Sequence, residues 1–399
     1  MTRFGSLVER VDHRQAGIDL PLMSVSQTRG VIRRSELTDR PQRAESLDTY
    51  KICRKNDIVF NKMSIRSGAM GVAPEDGLVT YHYEVMRPHS QTSPQYVAYL
   101  MKSAWFTEEL IKRERGIGAG DQANVRTTEV PFSVLKYIDC YFPPLIEQCA
   151  IVDYLDRETG RIDALIEEQQ RMIEMLRERR HAVISEATDA GDRITLGRVL
   201  AVIRQGVSPN CEAGQADGVR EWAVLKVGCS NTGRFRSHEN KRLPDDVAPR
   251  PECVVRRGEI VMSRSNTREL VGCAAVVEED YPRLMLSDLT YGISLTPLAD
   301  PSYVAIALAG ARARFAIAGM SKGTSPSMQK ISQRDVANIP LRLPPLDEQR
   351  RIAAYLDEQT AKIDTLIAET ETFIDLARER RSALITAAVT GQIHVRGAA

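Results

Sequence analysis

The strongest constraint on this chain is an internal repeat. Residues 143–187 and residues 344–388 align at a constant offset of 201 without a gap, and 23 of the 45 aligned positions are identical. Unrelated segments of that length would share about 3 identities at ordinary residue frequencies. The duplication therefore governs the fold, because each copy must find the same kind of environment.

Both copies are predicted to be long helices. Apolar residues recur at spacings of three, four and seven along one helical face, and charged residues fill the other face. Each copy opens on Pro-Pro, which can start a helix but cannot lie inside one. About 40 helical residues give a rod of roughly 60 Å. The contact face of the first copy is predicted to include Ile151, Leu155, Ile162 and Ile166.

A helix with one apolar stripe needs a partner that buries the stripe. The two copies can supply this for each other, and we expect them to pack as a coiled coil. We expect the pairing to be antiparallel, because the roughly 150 residues between the copies would fold back as a compact domain. Two helices packed separately are disfavoured, since charged residues repeat as well: Asp163 matches Asp364, and Arg180 matches Arg381.

The segments outside the helices repeat each other more loosely. A turn and a short β-type run at residues 55–62 parallel those at residues 257–264, and a helix predicted at 94–115 parallels one that begins at Pro301. A continuous β-type run is predicted at residues 78–86. The sequence therefore predicts an α+β fold, in which two pseudo-symmetric globular α/β domains are separated by two long helices that form an antiparallel coiled coil. The predicted segments are a first globular domain at 1–142, a first helix at 143–190, a second globular domain at 191–343, and a second helix with a C-terminal tail at 344–399.

The net charge of +1 is a sum of unlike parts. The two globular segments carry +3 and +5, whereas the two helical segments carry −5 and −2. A basic excess confined to the globular segments favours a polyanion as their partner. The excess is modest, so charge favours nucleic acid without establishing it.

Several classes of protein are disfavoured by the remaining composition. No apolar run of 18 residues is present, so no membrane span is predicted, and the N-terminal residues lack the apolar region of a signal peptide. The 7 cysteines are scattered without a C-x-x-C pair, which indicates reduced thiols and a cytoplasmic protein. The 6 histidines show no metal-ligand spacing.

Particular motifs in the chain are similar to those of a known family. They are the PPL-x-EQ opening of both helices, the Glu-Arg-Arg near their ends, and the segments Lys226-Val227-Gly228, Gly258-Glu259-Ile260, Gly323-Thr324-Ser325 and Ala388-Val389-Thr390-Gly391-Gln392-Ile393. With these motifs the chain resembles, over essentially its whole length, the specificity subunit of type I restriction-modification systems. The first globular half departs from the pattern, because Gly118-Ala119-Gly120-Asp121 stands where the second has Gly323-Thr324-Ser325.

The resemblance implies a DNA-binding function in a restriction and DNA methylation system. Each globular half would be a target recognition domain that reads one half of a bipartite, asymmetric sequence in double-stranded DNA. The paired helices would set the spacer between the halves and dock two modification (methyltransferase) subunits. Two restriction (translocase/endonuclease) subunits would join the larger complex. The chain itself would be non-catalytic and hold no cofactor, with S-adenosylmethionine expected in the modification subunit.

A search for catalytic motifs agrees with that expectation. The Asn/Asp-Pro-Pro-Tyr/Phe segment of amino-methyltransferases is absent, and Gly116-x-Gly118-x-Gly120 follows a charged helix and lacks the P-loop lysine. A fused restriction or modification enzyme would need an S-adenosylmethionine motif of its own. A purely structural coiled-coil scaffold is the other alternative, and it would not need two basic domains that share a framework.

Contacts to DNA are expected from Arg, Lys, Ser, Asn and Gln on loops. The best candidates follow the paralleled strands; they are Asn61, Lys62, Ser64, Arg66 and Ser67 in the first half, and Arg264, Ser265, Asn266, Thr267 and Arg268 in the second. A second set lies further along each half and comprises Arg113, Arg115, Gln122, Asn124 and Arg126, and Ser321, Lys322, Thr324, Gln329 and Lys330. The weaker candidates are Lys226, Arg234 and Arg236.

Overall fold

The structure is a computed structural model that describes residues 1–38, 46–113, 130–323, 328–393 and 395. The chain divides into two compact units. The first unit comprises Met1–Gln170 and Glu371–Ala399, and the second comprises Arg171–Thr370. Each unit therefore contains one globular region together with parts of both long helices.

Two of the helices are much longer than the rest. The helix of the first repeat copy has 43 residues and that of the second has 44, and each begins directly after its Pro-Pro pair. The described helices are α1 Pro94–Lys102, α2 Ala104–Ile111, α3 Phe132–Leu135, α4 Leu145–Ala187, α5 Pro301–Ala307, α6 Ala311–Met320, α7 Gln333–Ala337 and α8 Leu346–Val389.

The strands are short and mostly antiparallel. In the first unit they are β1 Thr2–Arg3, β2 Val8–Val11, β3 Met23–Ser26, β4 Gly30–Arg33, β5 Lys51–Cys53, β6 Ile58–Asn61, β7 Met70–Val72, β8 Gly77–Val79, β9 Tyr83–Pro88 and β10 Asp139–Cys140. In the second unit they are β11 Asp192–Thr195, β12 Leu200–Gln205, β13 Ala223–Leu225, β14 Asn240–Arg242, β15 Ile260–Ser263, β16 Ser265–Asn266, β17 Ala274–Val276, β18 Leu284–Met285, β19 Thr290–Leu295, β20 Gln329–Lys330 and β21 Pro340–Leu343.

The two globular regions share one framework. A four-stranded antiparallel sheet has the order β2-β9-β6-β7 in the first unit and the matching order β12-β19-β15-β17 in the second. A strand pair beside it, β1 with β10 and β11 with β21, also recurs. One buried tyrosine hydroxyl in each unit donates to the strand that leads into the long helix, Tyr96 to Tyr141 O and Tyr303 to Arg342 O, both at 2.9 Å. The looser repeat predicted for the globular segments is therefore a repeat of backbone topology.

The junction between globular region and long helix is the same in both units. The side chain of Gln148 is fully buried; its Oε1 accepts from Ser93 N at 2.8 Å, and its Nε2 donates to Gln91 O at 3.1 Å and Pro143 O at 2.8 Å. Gln349 makes the corresponding three bonds in the second unit, to Asp300 N, Leu298 O and Pro344 O, at 2.8, 3.1 and 2.8 Å. The Gln of the PPL-x-EQ motif thus fixes each helix to its globular region.

The long helices pack against each other within each unit. In the first unit, Ile151 and Leu155 near the start of α4 share a buried cluster with Ile385 and Val389 at the end of α8. The start of one helix therefore meets the end of the other, which is the antiparallel arrangement. Ile162 and Ile166 are only half-buried, so the contact face is tighter near the helix ends than at these predicted positions.

The repeated charged residues form two ion pairs at corresponding positions of the repeat. Arg381 Nε lies 2.8 Å from Asp163 Oδ1 in the first unit, and Arg180 Nε lies 2.9 Å from Asp364 Oδ1 in the second. Each pair joins α4 to α8. Asp163 and Asp364 occupy the same position of the repeat, and so do Arg180 and Arg381. The predicted α+β fold class with paired long helices is confirmed.

Two predicted elements are wrong in detail. The single helix predicted at 94–115 is two helices, because Ser103 ends α1 and caps α2: its hydroxyl donates to Leu100 O at 2.7 Å and accepts from Phe106 N at 3.2 Å. The continuous run at 78–86 is two strands separated by a turn at residues 80–82, in which Tyr83 N donates to Thr80 O. Local capping and turn bonds decide both cases.

Candidate nucleic-acid interface

The best predicted loops follow equivalent central strands, β6 and β15. The turn before each strand needs a positive φ, which Asn56 supplies at 73° and Gly258 at 79°. The next residue is a buried carboxylate that fixes this turn. Asp57 accepts from Arg54 N and from Arg87, and Glu259 accepts from Arg256 N and from the Arg204 guanidinium. Each predicted loop therefore extends from a strand whose base is tied by charge-assisted bonds.

In the first unit the loop after β6 is compact and polar. Asn61 Oδ1 accepts from Met63 N at 3.1 Å, and Ser67 Oγ donates to Ser64 O at 2.9 Å. Ser67 is exposed, and the other four predicted residues, Asn61, Lys62, Ser64 and Arg66, are half-buried. The neighbouring turn between β3 and β4 touches this loop, because Gln27 Nε2 donates to Ser67 Oγ at 3.0 Å.

In the second unit the loop after β15 holds both exposed and buried candidates. Arg264 donates to Tyr291 Oη at 3.1 Å and to Asp288 O at 3.1 Å, so its guanidinium is held over the sheet. Arg268 is exposed, and Asn266 and Thr267 are half-buried. Ser265 is buried and its hydroxyl lies 3.2 Å from Met328 Sδ, so Ser265 supports the loop from beneath.

The structure brings two separately predicted clusters of the second unit together. Strand β16 pairs with β20, so that Ser265 faces Lys330 and Asn266 faces Gln329. Lys322 and Lys330 exchange backbone hydrogen bonds at 2.9 and 2.8 Å. Ser321 is half-buried, Lys322 and Lys330 are exposed, and Thr324 lies outside the described residues. Residues more than 50 positions apart thus form one basic, polar surface.

The first unit shows the beginning of the same arrangement. Val130 N lies 3.5 Å from Lys62 O, which matches the 3.0 Å bond from Ile331 N to Arg264 O in the second unit. Arg113 pairs with Glu109 on α2, so it braces that helix end. Four candidates lie outside the described residues: Arg115, Gln122, Asn124 and Arg126.

The weaker candidates of the second unit mainly support the fold. Arg234 pairs with Asp357 on α8 at 3.2 Å, and Arg236 donates to Gly228 O at 2.7 Å. Lys226 is half-buried at the start of the same segment. Next to them, Asn231 Oδ1 accepts from Asn266 Nδ2 at 3.0 Å. Asn231 and Gln27 were not among the residues predicted from the sequence, because the turns that contain them differ in sequence.

An acidic pair, Glu75 and Asp76, and a partly buried tyrosine, Tyr99, have hydrogen-bond partners within the chain. Glu75 accepts from Arg33 at 2.5 and 2.6 Å, and this hydrogen bond lowers the pKa of the Glu75 carboxyl. Asp76 accepts from Lys55 N at 2.7 Å. Tyr99 on α1 donates a hydrogen bond to Asp156 on α4. Burial and this hydrogen bond raise the pKa of Tyr99 to about 12, so Tyr99 stays a neutral donor. The acidic pair at residues 75–76 is thus a structural turn.

The described residues contain neither a cluster of metal ligands nor a single membrane-spanning helix. No group of three or more His, Cys, Asp or Glu side chains is placed to hold a metal ion in that part of the chain. No single described helix is long and apolar enough to cross a membrane; α5 and α6, bent by 68° at their junction, pass that test only as a pair.

Comparisons with known proteins agree with the sequence motifs. No protein-family model matches the chain. The EcoEI type I restriction enzyme specificity subunit of Escherichia coli is 29% identical over 165 residues, which is 41% of this chain and 28% of that protein. The EcoKI specificity subunit of Escherichia coli K12 is 22% identical over 328 residues, which is 77% of this chain and 68% of that protein.

The resemblance to type I specificity subunits is confirmed. It extends to the fold, because a solved structure of a type I restriction-modification system aligns with a TM-score of 0.74 at 17% identity, over 98% of this chain and 97% of that one. The HsdS subunit of Thermoanaerobacter tengcongensis aligns with a TM-score of 0.53 at 16% identity, over 98% and 96% of the two chains. The matched segment spans less than a third of the EcoEI subunit, whereas the fold resemblance spans nearly the whole chain.

Proposed function

We propose that this chain is the DNA sequence-recognition subunit of a type I restriction-modification complex. The observation that carries the proposal is a polar, basic loop that follows the same central strand of the same sheet in both units. A repeated framework with differing loops is what two readers of unlike sequences need. The confirmed likeness to specificity subunits supplies the class of polyanion, which is double-stranded DNA.

The two half-sites should differ from each other. The loop after β6 presents Lys62, Arg66 and Ser67, whereas the surface after β15 presents Arg268, Lys322 and Lys330. Hydrogen-bonding side chains in the major groove distinguish base pairs, so different sets select different bases. The proposed target is therefore bipartite and asymmetric.

The helical pair is proposed to set the spacer between the half-sites. Helices α4 and α8 run without a break for 43 and 44 residues, about 65 Å at 1.5 Å per residue. Readers on one face of DNA need sites about 34 to 36 Å apart, one helical turn. The equivalent pairs Arg381–Asp163 and Arg180–Asp364 favour one helical register, which gives the spacer a fixed length.

The same helices are proposed to dock two methyltransferase subunits. In the first unit Leu165, Phe373 and Leu376 are exposed on the helical pair. Their repeat equivalents in the second unit, Leu366, Met172 and Met175, are exposed too. Met175 and Leu376, which correspond under the repeat, have almost equal exposure, 60% and 59%.

The duplication of this surface accounts for the number of docked subunits. The repeat offset maps the three exposed residues of one unit onto those of the other. Two equivalent sets fit two copies of one partner. Two restriction subunits would join the larger complex. The chain itself would be non-catalytic, with S-adenosylmethionine bound by the methyltransferase subunits.

The proposal is tested by mapping methylation on unmethylated genomic DNA. The purified chain with its methyltransferase subunits should methylate a split sequence with two unlike halves, and the chain alone should methylate nothing. A gel shift of the same mixtures should give sequence-specific binding. Methylation by the chain alone, or a continuous palindromic target, would contradict the proposal.

A further inference from the structure

The predicted loop of the first unit uses its own hydroxyl internally. Ser67 has one hydroxyl proton, and it donates that proton to Ser64 O at 2.9 Å. Its oxygen accepts from Gln27 Nε2 at 3.0 Å. Ser67 is therefore engaged on both sides, and the side chain that carries polarity outward is Gln27.

The predicted loop of the second unit is engaged in the same way by an amide. Asn266 Oδ1 accepts from Thr267 N at 2.9 Å, and Asn266 Nδ2 donates to Asn231 Oδ1 at 3.0 Å. A longer contact of 3.4 Å joins the same Nδ2 to Ser263 Oγ. Both polar ends of the Asn266 amide are thus hydrogen-bonded. The neighbouring Asn231 uses its oxygen to accept from Asn266, and its NH2 group has no partner among the described residues.

These bonds fix the orientation of each outer amide. The Ser67 proton is committed to a backbone carbonyl, so Gln27 must donate one N–H of its NH2 group to Ser67, which leaves its carbonyl oxygen and its second N–H. The Asn266 oxygen is committed to a backbone N–H, so Asn231 must offer its oxygen and keep its NH2 group. Among the described residues, neither Gln27 Oε1 nor Asn231 Nδ2 has a hydrogen-bond partner.

Each amide lies in a turn that precedes a glycine of positive φ. Gln27 lies three residues before Gly30, and Asn231 lies two residues before Gly233; both glycines have positive φ, 72° and 78°. Gln27 is exposed and Asn231 is half-buried. The second turn is also tied to the helices, because Arg180 Nη2 donates to Thr232 O at 3.5 Å and Arg234 pairs with Asp357. Each turn thus holds its amide beside the predicted loop.

We propose that Gln27 and Asn231 are base-reading residues, one for each half of the DNA target. This inference rests on the proposed function. Gln27 presents an acceptor, which fits the exocyclic amino group of adenine or cytosine in the major groove. Asn231 presents a donor, which fits the N7 or O6 of guanine, the N7 of adenine or the O4 of thymine. The amide group without any partner is therefore an acceptor in the first half and a donor in the second.

The test compares Gln27→Ala and Asn231→Ala in the full complex with the methyltransferase subunits. Rates of methylation are measured on DNA substrates that carry every single-base change in the mapped target. Gln15→Ala and Asn210→Ala serve as matched controls, because they remove exposed amides from the same two globular regions. Thermal unfolding checks that each variant remains folded.

Gln27→Ala removes one hydrogen bond and should reduce discrimination at one base pair of the first half-site by roughly 2- to 13-fold, with the second half-site unchanged. Asn231→Ala should do the same in the second half-site only. At the position where Gln27→Ala loses discrimination, a base analogue without the exocyclic amino group should lower the methylation rate of the wild type but not of Gln27→Ala. At the position where Asn231→Ala loses discrimination, a 7-deaza purine, or another base that lacks the acceptor, should lower the rate of the wild type but not of Asn231→Ala. Both controls should keep wild-type discrimination.

Two results would overturn the inference while leaving the proposed function intact. One is an unchanged preference at every position in both variants. The other is a uniform loss of rate on all substrates, which would indicate backbone positioning. A wild-type complex that shows no bipartite target would contradict the proposed function itself.

Discussion

The two helix junctions are built alike, whereas the two turns beside the predicted reading loops are built differently. Gln148 and Gln349 make the same three bonds at the same distances. In contrast, Gln27 donates to its loop, while Asn231 accepts from its loop. Duplication has thus preserved the contacts that orient each globular region on its helix, and the outward-facing contacts have diverged.

The largest expected effect comes from the junction glutamines. Gln148→Ala leaves a buried N–H, a buried carbonyl and a partly exposed carbonyl without partners, so we expect it to destabilise the first unit by about 3 kcal/mol. Gln349→Ala should have the same effect on the second unit. Urea unfolding would measure both, with Trp105 and Trp222 as separate fluorescent reporters of the two units in single-tryptophan variants.

Gln170→Ala provides the control for the junction, because Gln170 is exposed on the same helix and should change stability by less than about 0.5 kcal/mol. If only one junction variant is destabilised, the two junctions are not equivalent, and the comparison drawn from their hydrogen bonds is wrong.

A smaller effect is expected at the repeated tyrosines. Removing either hydroxyl, in Tyr96→Phe or Tyr303→Phe, leaves one strand carbonyl without its donor, which should cost about 1 kcal/mol in the corresponding unit. Tyr96 Oη also lies 3.2 Å from Val389 O, so its loss should be at least as large. Circular dichroism during thermal unfolding would measure the difference; a clearly larger loss for Tyr303→Phe would contradict the equivalence.

The smallest effect tests the symmetry of the helical pair. The pairs Arg381–Asp163 and Arg180–Asp364 are partly exposed, so double-mutant cycles should give coupling energies of about 0.5 kcal/mol for each. The two values should agree and should both fall at high salt. A coupling in one pair only would show that the two ion pairs do not contribute equally in solution.

The features that sequence reasoning predicted correctly are those that repetition makes visible. Matched charges such as Asp163 and Asp364 indicated paired helices, and Pro-Pro marked both helix starts. Ser103 was missed as a helix break, because a serine cap depends on local hydrogen bonds that a periodic apolar pattern does not reveal.

The candidate interface was only partly visible from the sequence. The loops after β6 and β15 stood out because their strands repeat, yet the pairing of β16 with β20 joins distant residues that no local pattern connects. Ser265 illustrates the limit: it has the composition of a contact residue but is buried under Met328. Gln27 and Asn231 lie in turns that differ in sequence, so only their hydrogen bonds reveal that each contacts the predicted loop of its unit.

The most direct test of two independent readers on one spacer is to exchange the first one. Residues 1–142 would be replaced by the corresponding domain of another type I specificity subunit, and methylated bases would be mapped across a genome with the hybrid complex. The account predicts that one half of the target changes, while the other half and the spacer length stay the same. A change in both halves, or in the spacer, would contradict it.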